Sequence, residues 1–209
     1  LDLDRARKGS VQATVTVYTS MLSTTMSGLE GMLREPNGCF EQTSSTNYPN
    51  VMIMQYMKQH DVADAALLER SGKLLDSGYR KLAGYESRKH GYEWFGGDPG
   101  HEALTAYGLM QFADMKDVHG AVDPAMLART AAWLKSRRDG RGGYLRDAKA
   151  LDSFGRAAPD VTDAYITWAL VSAGVAGLEQ EVDKSAKLAE TTPDAYRLAL
   201  AASTLLERA

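Results

Sequence analysis

Three stretches of this chain echo one another: LTAYGLMQFA, TDAYITWALVSA and DAYRLALAAS. Each opens on A-Y or D-A-Y, continues in small apolar residues and falls early in a helical pattern. Repeated helical hairpins bury their apolar faces only against one another, so they stack into solenoids or close into rings. Ala and Gly at the repeated positions let neighbouring helix axes approach closely.

The rest of the chain fits that frame. Met21, Leu22, Met26, Leu29, Met32 and Leu33 keep helical spacing until Pro36-Asn37-Gly38 ends the run. A second helix is predicted over 40–60, with Val51, Met54 and Met57 inward and Pro49 either kinking it or capping a second segment. A third covers 61–82, with Leu67, Leu68, Leu74, Leu75 and Tyr79 inward. After the glycine-rich loop 84–100, helices are predicted over 101–115, 124–138, 159–174, 178–190 and 193–208. The run AAWLKSRR followed by DGRGGYL places a D-G-x-G-G-aromatic loop directly after a helix, the punctuation of α/α toroids. The expected fold is therefore all-α, an α/α toroid of stacked hairpins, and the chain is short for closing six of them, so an incomplete ring is expected. Ahead of the helices, Val11 to Tyr18 alternates apolar and polar residues, the pattern of a half-buried strand. Residues 1–18 are read as the tail of a preceding β domain or a linker. Residues 19–209 are read as the helical domain, cut short at its C-terminus.

Composition excludes several functions. Net charge is −3, which gives no basic footprint for nucleic acid. No apolar run reaches the length of a membrane span, so no direct membrane contact is expected. No His, Cys, Asp and Glu cluster has metal spacing; the HEALTAY stretch lacks the second His of a zinc site. No metal or cofactor is expected. His60, His90, His101 and His119 show no pairing with the cysteine in sequence, and His101 reads as a helix-start residue. A toroid enzyme needs paired acids at one rim. Asp98, Asp147 and Asp152 stand on loops, but no D-x-D-D cluster appears. In the loop GYEWFGGDPG, Trp94 and Phe95 are expected to be packing anchors.

The chain has one cysteine. Alone it is either a buried small hydrophobe or a reactive thiol. Cys39 and Gln42 are three residues apart at a helix start, hence neighbours on one helical surface. A thiolate at Cys39 can attack the Gln42 carboxamide and expel ammonia. The product is an internal thioester closing a ring of about fifteen atoms, within reach of three residues in a tight turn. Such an ester acylates an incoming amine or hydroxyl once, releasing the thiol.

The wider stretch GCFEQTSSTNYPNV resembles the thioester motif of the α-macroglobulin and complement family, Gly-Cys-Gly-Glu-Gln at its core. GLEGMLREPNGC resembles the family's lead-in to the cysteine, and Pro49 stands where the family places a proline after the motif. HEALTAYGLMQFA and WLKSRRDGRGGYL resemble its L-T-A-Y helix and W-L…D-G segment, in the same order. The chain resembles the bacterial members most. The resemblance implies an α/α toroid thioester domain of a protease-trapping inhibitor. Cys39 and Gln42 would form the bond, with Gly38, Phe40, Glu41 and Pro49 supporting the motif. It further implies a single-use trap rather than an enzyme. The implied partners are target proteases, bound covalently through surface amines, and adjacent macroglobulin-type β domains of a longer parent. A periplasmic or extracellular bacterial parent is implied, with its targeting signal outside this stretch. The alternative is a binding or structural toroid with a vestigial Cys–Gln pair.

Two departures stand out. Phe40 occupies the family's Gly; it either screens the thioester from water or is a core residue. Asp152 occupies the position where many complement-type members carry a histidine that forms an acyl-imidazole. Asp cannot do so, which implies preference for direct attack by amines; the plainer reading is a solvated loop carboxylate.

Overall fold

The structure, a computed structural model, describes residues 7, 9–15, 17, 21–62, 64–147 and 157–208. It divides into two units, Leu1–Met32 and Leu33–Ala209. In the first, α1 spans Met21–Met32. The described residues around the expected strand, 10–15 and 17, form no ladder, and Val15 and Val17 lie exposed. Alternation makes a strand only where a neighbouring strand takes its hydrogen bonds, and none stands beside it among the described residues.

Among the described residues the second unit holds seven helices: α2 (Phe40–Gln59), α3 (Ala65–Ala83), α4 (Glu102–Lys116), α5 (Pro124–Ser136), α6 (Pro159–Ser172), α7 (Glu179–Thr191) and α8 (Ala195–Arg208). α2 packs on α4, α4 on α6 and α6 on α8, which makes a row of even-numbered helices. α3, α5 and α7 pack on α2, α4 and α6 respectively, as a second layer. This is the double-layered order of an α/α toroid. The three repeated sequence stretches are α4, α6 and α8, so the repeat is the signature of one layer. Ala106, Ala164, Ala169 and Ala201 are buried in it and keep its helices close.

α4 is apolar almost all round, as a helix with neighbours on several sides must be. It feeds two cores. Leu104, Phe112 and Met115 join Phe40, Val51, Leu75, Leu82 and Tyr92. Ala106, Leu109 and Met110 join Leu134, Ile166, Leu170 and Val182. On α3, Leu67 and Leu75 turn inward as predicted, whereas Leu68 is exposed: the buried face runs through Leu67, Ser71, Leu75, Gly78 and Leu82. α2 runs unbroken through Pro49. The ring removes one donor from the helix ladder without ending it.

Short loops are fixed by caps. Asp64 and Asp123 accept from the backbone N–H groups of Leu67 and Ala125. In the D-G-x-G-G loop, Asp139 Oδ1 accepts from the N–H groups of Arg141 (2.7 Å) and Gly143 (2.9 Å). Those two donors hold the Asp139 carboxyl below the usual carboxylate range. Gly143 lies among the ends of three charged side chains. A Cβ would fall within 3 Å of the Asp139 and Asp163 carboxylates and of Lys184 Nζ. Arg138 clamps the buried Glu181 with two hydrogen bonds and ties this loop to α7.

Candidate functional site

The site is the entrance of α2. Gly38 takes φ +89°, the left-handed region that glycine enters without strain. Cys39 follows as the N-cap in extended conformation, and the helix starts at Phe40. Gln42 is the third helical residue. Its side chain folds back, and Oε1 accepts the Cys39 backbone N–H at 3.2 Å. The pair forms a capping box in which the cysteine takes the place of Ser or Thr. Sulfur is a weak acceptor, so the glutamine arm is the one that holds.

Space for the folded glutamine comes from Gly38. A Cβ on Gly38 would lie 2.9 Å from Gln42 Cβ, 3.1 Å from Cδ and closer still to Oε1. The Gly38 carbonyl is fixed from two sides, by the Tyr85 hydroxyl (2.7 Å) and the Thr43 hydroxyl (3.2 Å). The Phe40 N–H donates to the Trp94 carbonyl (2.9 Å). These anchors hold the backbone around the pair and leave the Cys39 sulfur and the Gln42 carboxamide themselves out of the bracing. Cys39 is half-buried and Gln42 exposed, so the acyl group faces outward while the sulfur rests on the core.

Phe40 is wholly buried. Its ring stacks on Tyr92 (4.8 Å between centroids) and meets Tyr85 edge-on. Behind it, a Cβ on Gly108 would come within 2.7 Å of Phe40 Cζ, so α4 has a glycine where the ring lies against it. Glu41 accepts from the Ser45 hydroxyl one turn on (2.9 Å).

The remaining sequence candidates separate from this cluster. Pro49 is ten residues beyond Cys39, about 15 Å along α2 at the helical rise, and does not join the site. Asp152 lies outside the described residues. Trp94 is buried as expected, but Phe95 is exposed by 71 % and anchors nothing in the core. The Glu93 carboxylate accepts from the N–H groups of Phe95 and Gly97 and sets that loop instead. His101 is the N-cap of α4 and its Nδ1 accepts from the Leu104 N–H. That use makes Nδ1 the unprotonated nitrogen and takes it out of service as a base. His60 stacks on Tyr56, His90 bonds Glu86, and His119 faces Asp76 and Tyr79. Among the described residues no group of three or more His, Cys, Asp and Glu could hold a metal.

Sequence reasoning missed Tyr85, Thr43 and Gly108. Tyr85 and Thr43 act through one backbone carbonyl, which no spacing rule reveals. Gly108 did carry a signal, as a glycine inside a strongly apolar helix, the usual mark of close approach.

Comparison with known proteins gives three findings. The profile of the A-macroglobulin TED domain matches residues 13–202. Among curated proteins, alpha-2-macroglobulin-like protein 1 of Mus musculus is 27% identical over 148 residues, 70% of this chain and 10% of that protein. Among solved structures, a Salmonella alpha-2-macroglobulin mutant superposes with a TM-score of 0.53 at 18% identity, over 85% of this chain and 11% of the other. The chain thus spans about a tenth of the length of the relatives it matches.

Proposed function

The chain belongs to the A-macroglobulin family as a TED domain, and from that premise we propose that Cys39 and Gln42 close an internal thioester that covalently traps a target protease. The observation that carries this is the folded Gln42 side chain, held over Gly38 with its oxygen on the Cys39 N–H.

The chemistry follows from that placement. In ring closure the Cys39 sulfur bonds to Gln42 Cδ and ammonia leaves. In the trap, an amine nitrogen bonds to Cδ, the C–S bond breaks with its electron pair on sulfur, and the proton lost by the amine ends on the thiol. Oε1 stays on Cδ throughout. Negative charge that builds on it in the tetrahedral intermediate meets the Cys39 N–H, an oxyanion donor already in place. The departing sulfur sits at the N-terminus of α2, where the helix dipole favours negative charge. One acylation uses up the group, so the domain is a reagent and an inhibitor rather than an enzyme.

The reading extends to the parent. Cleavage elsewhere in a longer chain exposes the thioester, and neighbouring macroglobulin-type β domains screen it from water until then. Residues 1–18 belong to the passage from such a domain and 19–209 to the thioester domain. Asp152, in place of a histidine, sets preference for lysine amines over hydroxyls. The parent is a bacterial protein of the periplasm or the cell exterior. No described helix is long and apolar enough to cross a membrane.

The test is peptide mass spectrometry of the freshly purified parent, before and after methylamine. The expected peptide around Cys39 and Gln42 is one ammonia lighter than its sequence; methylamine then adds to Gln42 and frees one thiol. An unmodified Gln42 amide, with Cys39 alkylatable from the start, would leave a binding or structural toroid with a vestigial pair.

A further inference from the structure

A cavity of about 370 Å³ opens against α2 at Ser45, in the second turn of the helix. Trp94, Tyr107, Tyr165 and Leu104 form its apolar walls, Ser45 stands on its α2 side, and Ala103 lies on its wall from α4. Three observations connect it to the acyl group. Ser45 is three residues past Gln42, about 4.5 Å along the helix. Its hydroxyl donates to Glu41, next to Gln42 in the chain. Trp94, whose ring faces the cavity and His101 (4.9 Å), also accepts the Phe40 N–H through its carbonyl.

The polar fittings point the same way. Burial raises the Tyr107 phenol above its ordinary range, the Ser45 hydroxyl beside it offsets part of that, and the Glu41 charge adds to it. Ser45 and Tyr107 both line the cavity, and Ser45 is bonded to Glu41, so these three residues lead from the neighbour of Gln42 to the cavity. The charged residues that line the cavity are paired, Glu102 with Arg137 and Arg146 with Asp163, which leaves Glu41, one helical turn from Ser45, as the nearby carboxylate. Aromatic walls next to a carboxylate suit an alkylammonium, with methylenes on the rings and a positive head at the acid.

Resting on the thioester reading above, we propose that this cavity is the acceptor subsite: it takes the alkyl stem of the attacking primary amine, while Ser45 and Glu41 position its nitrogen at Gln42 Cδ. Lysine side chains, with four methylenes, are the substrate class it fits. Glu41 acts as a positioning residue. It holds the incoming ammonium, which must shed a proton to water before the nitrogen attacks; the remaining steps balance as given above.

The experiment uses the full parent chain and two amines of similar basicity, methylamine and n-butylamine, with thiol release followed in time. In the wild type, three additional methylenes fully buried in an apolar cavity raise the second-order rate about fiftyfold. Ala103→Phe narrows the cavity, and the butylamine-to-methylamine ratio collapses towards one. The ratio is immune to a general loss of folded protein. A second measurement needs no variant: n-butyltrimethylammonium has no N–H and cannot be acylated, so it slows butylamine addition by occupying the cavity. Equal rates for the two amines with a live thioester, or no inhibition by the quaternary ion, overturn the subsite alone. A parent whose Gln42 is a plain amide overturns the thioester reading, and the subsite falls with it.

Discussion

At Gly38 any side chain meets two obstacles, a positive φ and the folded glutamine. Gly38→Ala should destabilise the domain by about 1–3 kcal/mol. More tellingly, it should push Gln42 out of its fold, so the ammonia-deficient peptide drops to a minor fraction in mass spectrometry. A variant that keeps a full complement of thioester would show that the back-folded side chain is not the reactive arrangement. Phe40→Ala empties a wholly buried ring site and should cost about 3–5 kcal/mol in denaturant unfolding. Restoring the family's glycine at this position leaves the same cavity and should cost at least as much. The Cys–Gln spacing was legible from residues alone, and the resemblance sharpened it. The bracing by Tyr85 and Thr43 was not, because it runs through the Gly38 carbonyl and leaves no pattern in side-chain order.

Most of the helices were legible, since period and caps agree over long runs; the predicted ends differ from the observed ones by a few residues, where helix ends are weakly specified. Leu68 was misplaced because the buried stripe of α3 centres on Leu67, Ser71, Leu75, Gly78 and Leu82, and Leu68, turned about 100° from Leu67, falls at its edge. Of the two expectations for Pro49, a second capped segment is not formed: α2 continues through it, and the packing of α2 on α3 and α4 outweighs one lost ladder bond. α4 links two sites at this scale. Gly108→Ala should drive Phe40 back towards Cys39, costing about 1–3 kcal/mol and slowing methylamine addition although Gly108 touches neither reacting residue. An unchanged addition rate would mean that the entrance of α2 is insulated from the core behind it. Between helices, Glu181→Ala removes the buried carboxylate that takes two hydrogen bonds from the partly exposed Arg138. Unfolding should become easier by about 1–3 kcal/mol.

For the molecule as a whole, acid is the informative variable. The Arg129 guanidinium beside Glu86 holds its carboxyl below the ordinary 4.5, and the loop N–H groups do the same for Asp139 against 3.8. Lowered carboxyls contribute stability that is present above those ordinary values and lost as pH falls below them. Asp114 has the opposite sign: burial raises its carboxyl above 3.8, so its contribution weakens as pH rises past that point. Urea midpoints measured from pH 3 to 7 should therefore climb with pH, and Asp114→Asn, which keeps an acceptor for Tyr48, should steepen the climb. A flat profile would mean that these carboxyls titrate alike in the folded and unfolded chain. The layered order was readable in outline from the repeat, because one row of helices shares a sequence signature; its pairing with α3, α5 and α7 was not, because those helices share none. Finally, the anchoring of the α2 entrance has a mechanical consequence. On the proposed reaction the captured protein hangs from the Gln42 side chain, and opening the ring releases the sulfur from any share of the pull. Force then passes into the first turn of a helix whose opening residue, Phe40, is plugged into the core and before which the Gly38 carbonyl is pinned by Tyr85. The spent domain remains a firm handle.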